Sequence, residues 1–279
     1  MRFILPLSIT LLLLSVTLGL FATPLQSAPT GSIGTSFEGR DIVFYRFGEG
    51  ERSIVVYGGI HGGYEWNTIW LSHELITYYL ENGDSLPGNI SLYIIPCLNP
   101  DGLARVDGRG DCAGTDFANF DYSFEESKKG RFNARGVDLN RNWDARWQPK
   151  SMWQNQEVSA GGAPFSEPET RSLRDFVQRF EARLVISYHS AANGIYYSGK
   201  HEQWEPVRRL ARAYEESSCY PIPRSGTGLV GYRITGASGG YFYSQSIPEI
   251  TVELAGRSSP EFERNLSGLQ AVIDFIASE

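Results

Sequence analysis

An α/β fold, a three-layer α/β/α sandwich around a mixed, mostly parallel sheet, is what this sequence predicts. Two observations lead there. Short apolar runs alternate along the chain with amphipathic segments, and strands alternating with helices pair into a parallel or mixed sheet with helices on both faces. The length, 279 residues including an N-terminal leader, suits one large domain with a substantial core.

Residues 1–28 stand apart from the rest. Arg2 precedes a nearly unbroken apolar run from Phe3 to Ala22, followed by Pro24 and small polar residues. This is the make-up of an export signal with its cleavage region near Ser27 or Ala28, and the run is also long enough to act as a membrane anchor. The protein is therefore expected to be exported, periplasmic or extracellular, with a single domain over 33–279.

Within that domain, residues 41–47 and 53–57 read as strands, 68–80 as a helix and 91–98 as a strand. Residues 99–163 are glycine-rich and polar with little periodicity, yet apolar and aromatic residues recur throughout. That mixture marks a functional surface loop and not a linker. A helix over 167–180 opens with Ser166 as N-cap and Glu169 at the third helical position. A strand at 183–189, a helix at 203–217, a strand at 249–254 and a closing helix at 260–277 complete the order.

The formal charge of −7 and pI near 5.3 leave no basic face of the kind that nucleic acid requires. Three cysteines cannot all pair within one chain. Cys97, in SLYIIPCLNP, reads as a buried thiol, which leaves Cys112 and Cys219 as a pair that an exported protein can join, although spacing alone does not set the pairing.

In a sheet of this kind catalytic groups collect beyond the carboxyl ends of the strands. Three strand ends here carry metal-type or acid–base side chains: SIVVYGGIHGGYE, LVISYHS and EITVEL. Catalytic zinc needs three imidazole or carboxylate ligands and one open position, and His61, Glu65 and His189 supply that set. Singly, each of these histidines is more often a hydrogen-bonded structural residue; together, at strand ends and beside glycine pairs, they point to a metal. Glu253 interrupts an apolar strand, where a carboxylate without a partner is costly.

These stretches also run in an order that resembles the zinc metallocarboxypeptidase family, the carboxypeptidase A clan, and in particular its small bacterial branch acting on murein peptides. The resemblance rests on IGTSFEGRDI, GGIHGGYE, NPDG, RFNARGVDLNRNWD, PFSEPETRSLRDF, SYHS, YRITGASGG and ITVELAG, and so covers the whole of 33–279 as a catalytic domain. It implies one zinc ion held by His61, Glu65 and His189, with Glu253 as the general base. Asn140 and Arg141 match the residues that grip a substrate's terminal carboxylate, and Tyr232 matches the family's mobile substrate-binding tyrosine. Arg131 is the choice for the arginine that stabilises the tetrahedral oxyanion, with Arg135 its rival. Asp138 resembles the carboxylate that orients a zinc histidine, although an aspartate there can also merely cap a turn.

Three features depart from the family or bear on specificity. The family's H-x-x-E is here H-x-x-x-E, which puts Tyr64 at the aligned ligand position; either the turn bulges to bring Glu65 in, which the double glycine favours, or the metal site is altered. An insert, DGRGDCAGTDFANFDYSFEES, carries four aspartates and two glutamates, either to select amine-bearing substrates or as a solvated loop around an aromatic plug. Counting on from Tyr232, the position that sets side-chain preference falls near Gly239, which carries no acid. The resemblance favours a peptide substrate derived from peptidoglycan, cut at a γ-D-glutamyl–diamino acid bond. The alternatives are an ordinary carboxypeptidase on L-peptides, a zinc N-acyl amino acid deacylase and an inactive peptide-binding module.

Overall fold

The computed structural model describes residues 30–199, 204–223 and 234–279. The leader and Tyr232 lie outside the described residues. The elements, in chain order, are β1 (Thr30–Thr35), β2 (Asp41–Phe47), β3 (Arg52–Tyr57), α1 (Trp66–Glu81), β4 (Ile90–Ile95), α2 (Pro100–Asp107) and α3 (Phe124–Ser127). A small hairpin, β5 (Lys150–Trp153) and β6 (Gln156–Ser159), is followed by α4 (Pro168–Arg179), β7 (Leu184–Ser190), β8 (Gly194–Tyr196) and α5 (Glu205–Ser218). The chain closes with α6 (Ser238–Ser244), β9 (Glu249–Leu254) and α7 (Phe262–Ser278).

Seven strands form one sheet in the order β1-β2-β4-β3-β7-β9-β8. Its centre, β4-β3-β7-β9, is parallel, and β1, β2 and β8 pair antiparallel at the margins. This is the mixed, mostly parallel sheet that the alternation of segments predicts. Central strands covered on both faces have no reason to alternate polar and apolar residues, so β3 reads RSIVVY and β4 ISLYII. Alternate residues still serve different layers. Ile54 and Val56 pack with Leu75, Tyr214 and Leu269 from α1, α5 and α7, whereas Val55 and Tyr57 pack with Leu173 and Phe242 from α4 and α6.

The structure corrects the sequence reading in several places. Residues 99–163 contain α2, α3 and the hairpin. NPDG, an ordinary turn on its own, is the start of α2: Pro100 occupies the first turn and Asn99 Oδ1 accepts a hydrogen bond from the Gly102 N–H at 2.8 Å. Helix α4 is capped at Glu167 and not Ser166, whose hydroxyl instead donates to Glu167 Oε1 at 2.7 Å. The thiols of Cys97 and Cys112 are neighbours under the aromatic cluster of Trp66, Phe117 and Phe120, while Cys219 ends α5 in a left-handed conformation. The fold thus brings Cys112 to Cys97, and Cys219 is an exposed free thiol.

Candidate active site

His61 follows β3, His189 lies on β7 and Glu253 on β9, three adjacent parallel strands, so all three groups emerge at the same edge of the sheet. The crevice is at the switch point where β3 has β4 on one side and β7 on the other. His189 and Glu253 are register partners.

The extra residue after His61 is taken up by a 3₁₀ turn over Gly62–Glu65, closed by the Tyr64 N–H on the His61 carbonyl at 3.0 Å. Gly62 sits at φ +44°, and a Cβ there would lie 2.7 Å from backbone atoms of Gly102 and Gly130. Only glycine allows both the left-handed backbone and the close passage beneath α2. The turn sends Tyr64 away from the crevice, against Trp153 at 5.2 Å and beneath the Arg257 guanidinium at 4.1 Å. Glu65, and not Tyr64, is thereby delivered to the histidines.

Glu65 Oε1 lies 2.9 Å from His61 Nδ1, and Oε2 lies 3.0 Å from His189 Nδ1. One ligand atom from each of the three lies within 4.8 Å of the others, and all three side chains are buried. Burial raises the Glu65 pKa, but the two imidazoles outweigh it and hold the carboxyl well below the usual range. On the far side of His61, Nε2 stands 3.3 Å from Asp138 Oδ1. Asp138 also caps the 3₁₀ turn Leu139–Arg141 through the Asn140 N–H at 3.0 Å, so it orients the histidine and caps the turn at once.

Arg131 is buried against these groups. Its Nε and Nη2 donate to Asp138 Oδ2 at 3.0 and 2.9 Å, Nη1 lies 3.3 Å from His61 Nδ1, and the guanidinium rests 4.6 Å above Trp153. Burial raises the Asp138 pKa, yet Arg131, Arg141 and His61 together keep its carboxyl well below the usual range. Across the crevice, Arg141 is fixed by the carbonyls of Asn140 at 2.7 Å and Met152 at 3.1 Å. Asn140 Oδ1 accepts the Ser238 N–H at 3.1 Å, and its Nδ2 lies 3.5 Å from His189 Nε2. Glu253 Oε2 accepts the Ala192 N–H at 3.2 Å. Burial raises its pKa, and the charge of Glu65 adds to that against the opposing pull of His189. All of these side chains except that of Asp138, which lies behind His61 and Arg131, line one cavity of about 430 Å³.

Residues 26–270 match the sequence model of the zinc carboxypeptidases. The chain belongs to the zinc carboxypeptidase family. Carboxypeptidase B of Astacus astacus is 26% identical over 67% of this chain and 63% of its own length. Carboxypeptidase B of Helicoverpa zea is 28% identical over 80% and 57%, so the chain spans only about three fifths of these relatives. Among solved structures, carboxypeptidase A from Helicoverpa armigera aligns with a TM-score of 0.67 at 19% identity, covering 90% of this chain and 69% of that one. Murein-tripeptide amidase MpaA from Escherichia coli O157 gives 0.56 at 22%, covering 89% and 91%. What these structures share with this chain is the fold.

Zinc is the metal of this family, and two imidazoles with one carboxylate, buried and adjacent, are a donor set that fits it. For the arginine near the histidines the geometry separates the two rivals. Arg131 lines the cavity, whereas Arg135 is 46% exposed and turned to Glu167 and Phe37. The acidic insert does not reach the cavity. Asp107 accepts from the Arg109 and Gly110 N–H groups, Asp111 from Gly114, and Asp116 from Asn119, while Phe117 and Phe120 plug the space over Trp66. It is the solvated loop around an aromatic plug.

One cavity residue escaped the sequence reading. Glu249 lies on the same face of β9 as Glu253, four residues earlier, and is 1% exposed. The signal was present: E-I-T-V-E-L alternates polar and apolar residues, so whatever places Glu253 on the cavity face places Glu249 there too.

Proposed function

We propose that this protein is a zinc-dependent carboxypeptidase that hydrolyses a peptide amide beside a free carboxylate, with a γ-D-glutamyl–diamino acid bond of peptidoglycan-derived peptides as its substrate. The observation that carries the reaction class is the convergence of His61, Glu65, His189 and Glu253 on one cavity that also holds Arg131, Asn140 and Arg141.

Zinc held by His61, Glu65 and His189 would supply Lewis-acid chemistry toward the scissile carbonyl and the water. Glu253 takes the proton of the attacking water and returns it to the leaving amine; a raised pKa suits a base that must give its proton back. Arg131, already immobilised by Asp138 and Trp153, answers the negative charge that grows on the carbonyl oxygen without reorganising first. Asn140 and Arg141 hold the terminal carboxylate, the planar guanidinium matching it with two parallel donors. Tyr232 is assigned to the same carboxylate end on sequence grounds.

The finer assignment is supported by the fold shared with the murein-tripeptide amidase, which extends over 91% of that chain. An exported location, from the leader at 1–28, would bring the protein to cell-wall peptides. Purified protein with zinc restored, incubated with L-Ala-γ-D-Glu-diaminopimelate and with ordinary L-peptides, tests it by mass spectrometry beside Glu253→Gln. Release of diaminopimelate by the wild type alone is expected. Cleavage of the L-peptides only keeps the reaction class and removes the cell-wall substrate, whereas cleavage of neither sinks the enzyme reading.

A further inference from the structure

The floor of the cavity holds a carboxylate that the reaction does not use. Glu249 Oε1 is saturated by three hydroxyls, Ser187 at 2.7 Å and Ser238 and Thr251 at 3.3 Å each. Oε2, on the same carboxyl, is buried and accepts no hydrogen bond. Among the described residues no lysine or arginine pairs with Glu249, although it lines the cavity. A buried acid with one oxygen fixed by three donors and the other left without any among these residues is costly until a partner reaches it.

Gly239 makes room for this oxygen. A Cβ at that position would lie 2.4 Å from Glu249 Oε2, so any side chain on α6 there would displace the carboxylate or cover it. The sequence alone shows a glycine where an acid is absent; in the fold, the strand beneath supplies the acid that the helix lacks. Glu249 stands four residues along β9 from Glu253, about 13 Å at the usual rise of a strand. Glu253 and Glu249 thus line one cavity at separate points, a spacing of the order that a scissile bond and the tip of a long side chain require, and Oε2 itself lies just beneath the cavity surface against Gly239.

We propose that Glu249 Oε2 is the specificity-determining acceptor of this enzyme, receiving the terminal ammonium of the residue released from the substrate's carboxyl end, such as the distal amine of a diamino acid or of lysine. The proposal rests on the reading that this residue enters the cavity with its carboxylate on Arg141. An apolar side chain would bury the orphan oxygen without a partner, and aromatic or aliphatic residues are disfavoured for that reason. Burial also raises the Glu249 pKa, against the pull of the Ser187 hydroxyl, His189 and the other hydroxyls, and an incoming cation would reverse that balance.

The test compares matched substrates that differ only in the released residue: diaminopimelate, lysine, Nε-acetyl-lysine, norleucine and phenylalanine. Each is presented on a γ-D-glutamyl and on an ordinary L-acyl donor, with kcat/KM measured for wild type and Glu249→Gln. Wild type is expected to favour lysine over norleucine by about 30-fold or more, and Glu249→Gln to bring that ratio close to unity. Equal rates for lysine and norleucine in the wild type, or an unchanged ratio in Glu249→Gln, would overturn the assignment. The two donors keep the readings apart: lysine preference on L-peptides without γ-D-glutamyl cleavage sinks the cell-wall substrate and leaves Glu249 standing. Should Glu249→Gln fail to fold, or should no substrate be cut, calorimetry on the zinc-loaded wild type decides. Binding of 2-(4-aminobutyl)succinate at least tenfold tighter than 2-pentylsuccinate supports the proposal, and equal binding refutes it.

Discussion

Glu65 Oε2 lies 3.0 Å from His189 Nδ1, joining the turn after β3 to the end of β7 across 124 residues of sequence. With His61 on its other oxygen, Glu65 is the member of the trio whose two oxygens each face a nitrogen of one of the others, while the two imidazoles meet only ring edge to ring face. Removing it should therefore cost more zinc than disturbing a group behind a ligand. Asp138→Asn, which weakens the support of His61, is expected to lower zinc affinity about 10–100-fold. Glu65→Ala should exceed that and leave no stoichiometric metal after dialysis. Metal analysis against a graded chelator measures both, and Glu65→Ala protein that keeps one zinc would remove this residue from the ligand set.

Glu253 donates nothing to the trio, so its loss should separate chemistry from metal binding. Glu253→Gln preserves the shape and the acceptor for the Ala192 N–H but cannot take a proton. A fall in kcat of roughly 10²–10⁴-fold is expected, with zinc content and KM little changed. If zinc content fell in parallel with kcat, Glu253 would belong to the metal site and not to proton transfer.

Why Glu253 was legible and Glu249 was not follows from what a sequence displays. A carboxylate draws attention when apolar strand residues flank it on both sides, as Val252 and Leu254 flank Glu253, whereas Glu249 opens β9 and passes for the polar end of a loop. The central strands were plain because Val, Ile and Leu runs have no other use at that length. Strand β1, TGSIGT, and helix α6, SGGYFYS, were invisible because their residues argue against their structures. Backbone pairing with β2 holds the first, and burial of Tyr241 and Phe242 holds the second. The H-x-x-x-E spacing hinted at a bulge only through its double glycine, since what fixes the turn is its passage by Gly102 and Gly130, remote in sequence. The insert left two readings open for the opposite reason: its aspartates look like binding groups, but Asp107, Asp111 and Asp116 are spent within their own turns.

Glu169 offers a pH test away from the metal. It is buried, accepts the Phe37 N–H at 3.1 Å, and lies 3.4 Å from Asn133 Nδ2; burial holds its pKa above the usual carboxylate value despite these donors. A carboxyl whose pKa is raised on folding favours the native state while protonated. Its contribution is fully present below the unfolded value, about 4.3, and is lost as pH rises through the folded one. Glu169→Gln keeps the acceptor and cannot ionise, so the variant should gain on the wild type as pH climbs from 4 toward neutrality. Urea midpoints of both proteins across that range measure it, and a constant difference would show that this carboxyl does not titrate as described.

Gly62→Ala tests how the site accommodates the additional residue. At φ +44° a side chain costs roughly 1–2 kcal/mol for the left-handed backbone alone. The new Cβ would also stand 2.7 Å from backbone atoms of Gly102 and Gly130, and neither α2 nor the segment leading to Arg131 can yield as a flexible side chain would. A total loss above about 2 kcal/mol is expected, read from denaturant midpoints. Because relief of that clash would push the turn toward the crevice, zinc affinity should fall in the same variant although no ligand has changed. A Gly62→Ala protein with the stability and zinc affinity of the wild type would mean that the turn can re-form without glycine, and the reason given for the second glycine pair would have to be abandoned.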